Sequence, residues 1–220
     1  LAKEGIFFSN FYAEVGVGTS SDTEFTLNTS LMPSNSGTVF VSYYDRVYET
    51  MPKLLKQKGY YAFSMHGNVG DFWNRLEMHK SLGYDKFYHK DYYKIDETIG
   101  FSGTGLSDKS FFKQSVPIIK KVSEQENKPF YATLITLSNH TPWDDLDLMD
   151  KFPTDYKIKT KSGIVSRTYL EGTTMGNYFR SVHYADQAIG QFIEELDKSG
   201  LLENTVIIIY GDHDARLPSE

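Results

Sequence analysis

Helical and strand-like hydrophobic patterns alternate along this chain. Tyr44, Val47, Met51, Leu54 and Leu55 recur at helical spacing within residues 42–58, and Gly59 supplies a stop. Residues 60–65 follow as a short apolar strand, and a further short strand is expected over 5–8. A second helix is predicted over 71–82, ended by Gly83, and a longer one over 107–125. Residues 130–137 read as a strand buried on both faces. The last unit has the clearest pattern. Val182, Ala185, Ile189, Phe192, Ile193 and Leu196 share one face of a helix over 177–198, Ser199-Gly200 ends it, and 205–210 continue as a β-branched strand. Helices alternating with apolar strands predict an α/β fold, a mainly parallel sheet with helices on both faces. Ligands of such sheets gather beyond the carboxyl ends of the strands. The polar, turn-rich stretch 142–172 reads as an excursion over that edge and not as a second domain.

Four polar clusters fall in the predicted turns, three of them directly after strands. Gly16-Val17-Gly18-Thr19-Ser20-Ser21-Asp22-Thr23-Glu24 has the form of a Gly-rich turn leading into a capping box, with Ser21 as N-cap and Glu24 reaching back. Thr19 and Ser20 then stand just before a helix N-terminus, where free backbone N–H groups and the helix dipole favour a phosphate. A hydroxyl there is placed to attack phosphorus. Gly211-Asp212-His213-Asp214 offers Asp and His donors of the kind that hold Zn²⁺ or Mn²⁺. His66-Gly67-Asn68-Val69-Gly70-Asp71-Phe72-Trp73-Asn74-Arg75 offers a His, a Trp and an Arg, whose guanidinium matches phosphate geometry. Ser138-Asn139-His140 adds an imidazole able to contact a substrate or carry a proton. Each cluster alone also fits an ordinary turn or cap. Together they make the parts list of metal-assisted phosphoryl transfer.

Composition narrows the classes. The 220 residues are 40% hydrophobic and 24% charged, enough for one sizeable core. Lys+Arg number 23 against 29 Asp+Glu, a net charge of -6, without the basic excess of a nucleic-acid binder. An anionic substrate stays compatible with this, because a metal ion inverts the local charge. Cysteine is absent, which removes disulfides, thiolate metal sites and Cys nucleophiles together. No apolar run reaches the roughly 18 residues of a membrane-spanning helix.

The stretches from His66 to Val69, Phe72 to Arg75, Leu137 to His140 and Tyr210 to His213 carry a family resemblance that runs along nearly the whole chain. The chain resembles the extracellular catalytic domain of lipoteichoic acid synthases and related phosphoglycerol transferases of the alkaline-phosphatase/sulfatase superfamily. The resemblance implies a truncated sulfatase-like domain over 1–220, with an N-terminal membrane anchor, a first metal-ligand strand bearing a Glu, and a C-terminal part lying outside it. It implies a two-step transfer. A hydroxyl attacks the phosphate of a phosphatidylglycerol-type lipid and releases diacylglycerol. The glycerol-phosphoryl group then passes to a glycolipid or polyglycerol phosphate acceptor on the extracellular face of a bacterial membrane. The family motif Gly-x-Gly-Lys-Thr-Ser-Asp appears here as Gly16-Val17-Gly18-Thr19-Ser20-Ser21-Asp22, so Ser20 stands at the nucleophile position and Thr19 at the Lys. Ser20 is therefore the expected nucleophile, with Thr19 as the alternative. Ser20, Asp212 and His213 match metal ligands, for Mn²⁺ or else Mg²⁺ or Zn²⁺, in a site short of its Glu. His66, Trp73, Arg75 and His140 match the glycerol-phosphate pocket. Rival readings are a sulfatase or phosphoethanolamine transferase of the same superfamily, or a non-catalytic extracellular binding domain.

Overall fold

A computed structural model of the chain describes residues 5–13, 16–100, 105–149, 155–168 and 170–217. In chain order the helices are α1 (Ser20–Thr29), α2 (Val39–Ser42), α3 (Met51–Gln57), α4 (Arg75–Leu82), α5 (Asp108–Glu126) and α6 (Thr174–Lys198). The strands are β1 (Tyr61–His66), β2 (Lys86–Tyr88), β3 (Thr98–Ile99), β4 (Gly105–Leu106), β5 (Phe130–Ile135), β6 (Asp155–Thr160) and β7 (Gly163–Thr168). The main sheet has the order β2-β1-β5, and both pairings are parallel. β3–β4 and β6–β7 are separate antiparallel pairs.

Alternation along a strand sends successive side chains to opposite faces, and β1 shows where each goes. Phe63 and Met65, with Ala132 and Leu134 of β5, pack against Phe111, Phe112 and Ile119 of α5 and Ala188 of α6. Ala62, with Tyr131, packs on the other face against Phe25 of α1, Phe40 of α2, and Met78 and Leu82 of α4. Each of the Phe, Met, Leu and Ile side chains among them, when fully buried, contributes about 1.5–3 kcal/mol of transfer free energy. The expected α/β architecture, a parallel sheet with helices on both faces, is thus the one observed. Its local signals also hold. Ser107 caps α5 by accepting the Ser110 N–H, and Thr173 caps α6 by accepting the Gly176 N–H. Gly83 closes α4 at φ 95°, a left-handed conformation that favours glycine.

Several elements differ from the sequence reading. The helix expected over 42–58 is broken. Its second half starts afresh at Thr50, whose hydroxyl accepts the Lys53 N–H, with Pro52 in the first turn, where proline begins a helix instead of continuing one. The buried stripe of α6 runs through Ser181, Tyr184, Ala188 and Leu196, while Val182 is exposed. β5 is shorter than expected and half-buried. Residues 5–8 and 205–210 join no ladder among the described residues, and Ile6, Phe7, Phe8, Val206 and Ile208 are largely exposed. β-branched composition gives strand propensity, but a strand exists only where a partner supplies its hydrogen bonds. The 142–172 excursion contains the β6–β7 hairpin, which sequence periodicity did not reveal.

Candidate active site at the carboxyl edge of the sheet

The loop before α1 is shaped around one carboxylate. The Gly18 N–H donates to Asp22 Oδ2 at 2.8 Å. A Cβ on Gly16 would stand 2.3 Å from Asp22 Oδ2, and one on Gly18 2.3 Å from Asp22 Oδ1. Only glycine lets the backbone close this tightly over Asp22. The capping box does not form. Helix α1 begins at Ser20, with Thr19 at the N-cap in a positive-φ conformation (φ 46°) and no side-chain cap. Ser21 Oγ donates to the Gly18 carbonyl at 2.8 Å. The N–H groups of Ser21, Asp22 and Thr23 already bond to carbonyls of Gly18 and Thr19, so they are not the free donors expected there. What remains at Ser20 is the positive end of the α1 dipole.

Glu24 faces inward. Its carboxylate takes Arg75 Nη2 at 2.6 Å and Arg75 Nε at 3.0 Å on Oε1, and His79 Nε2 at 2.9 Å on Oε2. His79 Nδ1 meets Ser64 Oγ of β1 at 2.8 Å. All four side chains are buried. Burial pushes the Glu24 carboxyl up, but the Arg75 charge and the hydrogen bonds from His79 and Arg75 more than offset it, holding it down at about 2. Burial pushes His79 the other way, below the usual imidazole range. The charged pair is therefore Glu24–Arg75, and His79 joins it as a neutral ring that donates from Nε2 and accepts the Ser64 hydroxyl at Nδ1. Arg75, expected in the glycerol-phosphate pocket, is only 2% exposed and engaged by Glu24. Trp73, also expected as a pocket wall, stands at φ 59° and packs partly against the α1–α2–α4 core.

The first turn of α1 reaches the Asp-His motif: Thr23 Oγ1 donates to the Asp212 carbonyl at 2.6 Å. His213 is held beside Asp212, with Nε2 3.8 Å from Asp212 Oδ2. The rings of His140 and His213 meet edge to face at a 5.7 Å centroid distance. Three imidazoles share one device. Nδ1 of His66, His140 and His213 lies 2.7–2.8 Å from the carbonyls of Ile135, Thr141 and Asp214 respectively. A carbonyl only accepts, so Nδ1 carries the proton and, in the neutral ring, Nε2 presents the lone pair. Metal-ligating and proton-accepting histidines are oriented this way. Burial, with the Arg75 charge behind it, pulls His66 down to about 3, so its ring is neutral near pH 7. Asp212 is tied to α1 through Thr23, the rings of His140 and His213 meet, and Glu24, next along α1, reaches Arg75 and His79.

The turn that carries His140 is clamped from outside the motif. Asp108, at the start of α5, accepts the N–H of Leu137 at 2.8 Å and of Ser138 at 3.2 Å, and its own N–H donates to Ser138 Oγ. Ser181 of α6 donates to the Ser138 carbonyl at 2.8 Å. No sequence pattern pointed to Asp108 or to Ser181. Burial raises the Asp108 carboxyl to about 6, despite the hydrogen bonds from Leu137 and Ser138 that favour its anion. An acid whose folded value exceeds its unfolded one stabilises the fold most below the unfolded value, 3.8 here, and loses that advantage as pH rises through the folded value. Compared with Asp108→Asn, which keeps an acceptor and cannot ionise, the parent protein should lose about 2 kcal/mol of relative stability between about pH 4 and about pH 7. Urea unfolding of both across that range tests it, and parallel curves would contradict it.

Among the described residues no group of three or more His, Cys, Asp or Glu converges as a metal site. Asp212 and His213 are a half-set of donors, oxygen plus one imidazole, to which a hydroxyl can be added. That chemistry fits a divalent ion of the Mn²⁺, Mg²⁺ or Zn²⁺ type without closing a coordination sphere.

The sulfatase family's sequence profile matches residues 1–219. The chain belongs to the sulfatase family. Within it, the chain is 39% identical over 211 residues to lipoteichoic acid synthase 2 of Bacillus subtilis, covering 96% of this chain and 30% of that protein. It is 36% identical over 208 residues to the lipoteichoic acid synthase of Staphylococcus aureus strain USA300, covering 94% of this chain and 29% of that one. The chain thus spans under a third of the length of these relatives. Its fold matches the crystal structure of the lipoteichoic acid synthase LtaP from Listeria monocytogenes with a TM-score of 0.73 at 33% identity, covering 88% of this chain and 43% of that one. The sulfatase-family assignment and the parallel sheet agree with the resemblance carried by the turn motifs. Among the described residues no helix is long and apolar enough to cross a membrane.

Proposed function

We propose that this sulfatase-family domain transfers glycerol phosphate from a phosphatidylglycerol-type lipid to a cell-envelope glycolipid or glycerol-phosphate polymer, with Ser20 as nucleophile. One observation carries this reading: Ser20 opens a helix whose first turn is hydrogen-bonded, through Thr23, to the Asp212-His213 motif. The relatives are named for lipoteichoic acid synthesis, and the phosphatidylglycerol-type donor is what the resemblance of the turn motifs implies. In the first step Ser20 Oγ bonds to phosphorus, the bond from phosphorus to the diacylglycerol oxygen breaks, and that oxygen leaves as an alcohol after taking up a proton. In the second, an acceptor hydroxyl bonds to phosphorus and Ser20 is released with its proton restored.

The chain's own residues define who can do what. The α1 dipole favours negative charge at Ser20. His140 is exposed and close to His213, placed to carry a proton to or from the glycerol oxygens. His66, neutral and with a fixed tautomer, offers an acceptor to a glycerol hydroxyl. Arg75 acts at a distance, through Glu24 and α1. A divalent ion would be held by Asp212, His213 and Ser20, and when bound it would supply Lewis-acid stabilisation of the phosphoryl oxygens. The site would then face the outside of a bacterial membrane. The test is turnover of fluorescent phosphatidylglycerol with Mn²⁺ present. Release of labelled diacylglycerol, with phosphatidylethanolamine and aryl sulfates left untouched, is the expected result. Preferential cleavage of either alternative would move the protein to another branch of the superfamily.

A further inference from the structure

Residues 156–170 contain four of the chain's 23 cations, Lys157, Lys159, Lys161 and Arg167, and none of its 29 acids. The whole chain has a net charge of -6, so this segment of charge +4 stands against a remainder of charge -10. The structure gathers residues 155–168 into the β6–β7 hairpin, paired from Asp155↔Thr168 to Thr160↔Gly163, so that Asp155 at its base brings the hairpin's own charge to +3. Its turn is pinned by Thr160 Oγ1, 3.0 Å from Ser162 Oγ and donating to the Gly163 carbonyl at 2.8 Å. Lys157, Lys159 and Lys161 are all exposed. Lys159 stands directly opposite Ile164, and cross-strand partners share a face, so the cation and the isoleucine lie side by side near the tip. Ile164 is 70% exposed and Ile158 40%. A lone two-stranded ribbon is marginal in water, and this one presents apolar side chains to it. In chain order the hairpin lies in the connection between β5 and α6, after the His140 turn.

We propose that the β6–β7 hairpin docks on an anionic lipid bilayer, its lysines on the headgroup phosphates and Ile164 at the boundary with the acyl chains. Charge alone would serve a soluble polyanion equally well. Ile164, on the face of Lys159, decides between them, because a bilayer offers an apolar phase beside its charge and a phosphate polymer does not. The inference goes beyond the transferase reading and does not depend on turnover.

Co-sedimentation of the 220-residue chain with vesicles tests it, using phosphatidylglycerol mixed into phosphatidylcholine against phosphatidylcholine alone. Binding should require phosphatidylglycerol and should fall with added salt as the charges are screened. Each lysine near such a surface contributes roughly fivefold, so K157A/K159A/K161A should bind roughly a hundredfold more weakly. Ile164→Ser should weaken binding further at unchanged charge. Circular dichroism should show both variants folded, since the replaced side chains are exposed. A Ser20→Ala variant should bind vesicles normally while transferring nothing, which separates failure of docking from failure of catalysis. Equal binding to neutral vesicles, or no loss in the triple variant, overturns the proposal. So does a result in which Ile164→Ser binds like the parent and soluble polyphosphate competes fully, which would make the hairpin a polyanion site.

Discussion

Replacing Ser20 by alanine is expected to reduce the proposed glycerol-phosphate transfer by at least about a thousandfold, because the proposed nucleophile is gone. Stability should hold. Ser20 sits at the first position of α1 with no side-chain hydrogen bond among the described residues, and alanine is the better helix former. Thr19→Ala, one residue earlier, should cost far less. Its hydroxyl provides no cap, although its φ of 46° makes the residue conformationally special. Parallel turnover and thermal unfolding measurements on the two variants separate chemistry from folding. Activity retained in Ser20→Ala and lost in Thr19→Ala would reassign the nucleophile to Thr19.

The largest expected loss of stability belongs to Glu24. Alanine there leaves the Arg75 guanidinium buried without its carboxylate and removes the acceptor of His79, a change of the kind that costs about 3–5 kcal/mol. Against the 5–15 kcal/mol that ordinarily holds a domain together, about that much can unfold it at physiological temperature. Glu24→Gln keeps the shape and an acceptor and should lose less. The informative variant is the double one. If the two groups form a unit, Glu24→Ala with Arg75→Met should be less destabilised than the sum of the singles, since no uncompensated charge remains. Strict additivity in urea unfolding would mean that the two side chains do not stabilise each other. The same geometry changes what Arg75 should do in catalysis. On the proposed mechanism a residue locked to α1 would act through the placement of Ser20, so its loss should lower the melting temperature and turnover together.

The sequence carried its local signals faithfully and its long-range ones poorly. Gly83 as a helix end, Ser107 as a helix start, and the strands around Ala62 and Ala132 were all legible, because capping and alternation act over a few residues. Ser21-Asp22-Thr23-Glu24 has the pattern of a capping box, yet Glu24 bonds to residues more than fifty positions away. A local motif cannot show that a stronger, charged partner competes for the same carboxylate. Residues 205–210 have the composition of a core strand but join no ladder among the described residues, since pairing depends on a neighbour and not on the segment itself. The turn motifs singled out His66, His140 and His213, and the structure gives all three the same Nδ1-to-carbonyl orientation. Asp108 and Ser181, which hold the His140 turn, were not singled out, because a single polar residue at a helix start or inside a helix has no distinguishing pattern.

The claim that Ser20 carries the phosphoryl group can be tested at the residue itself. The protein is mixed with phosphatidylglycerol and Mn²⁺, quenched in acid within the first turnovers, digested, and its peptides are weighed by mass spectrometry. One glycerol-phosphoryl group on Ser20, absent from Ser20→Ala and lost when acceptor is added before the quench, is the predicted result. Steady turnover with the adduct on Thr19 or on a histidine, or with no adduct at any quench time, would contradict it.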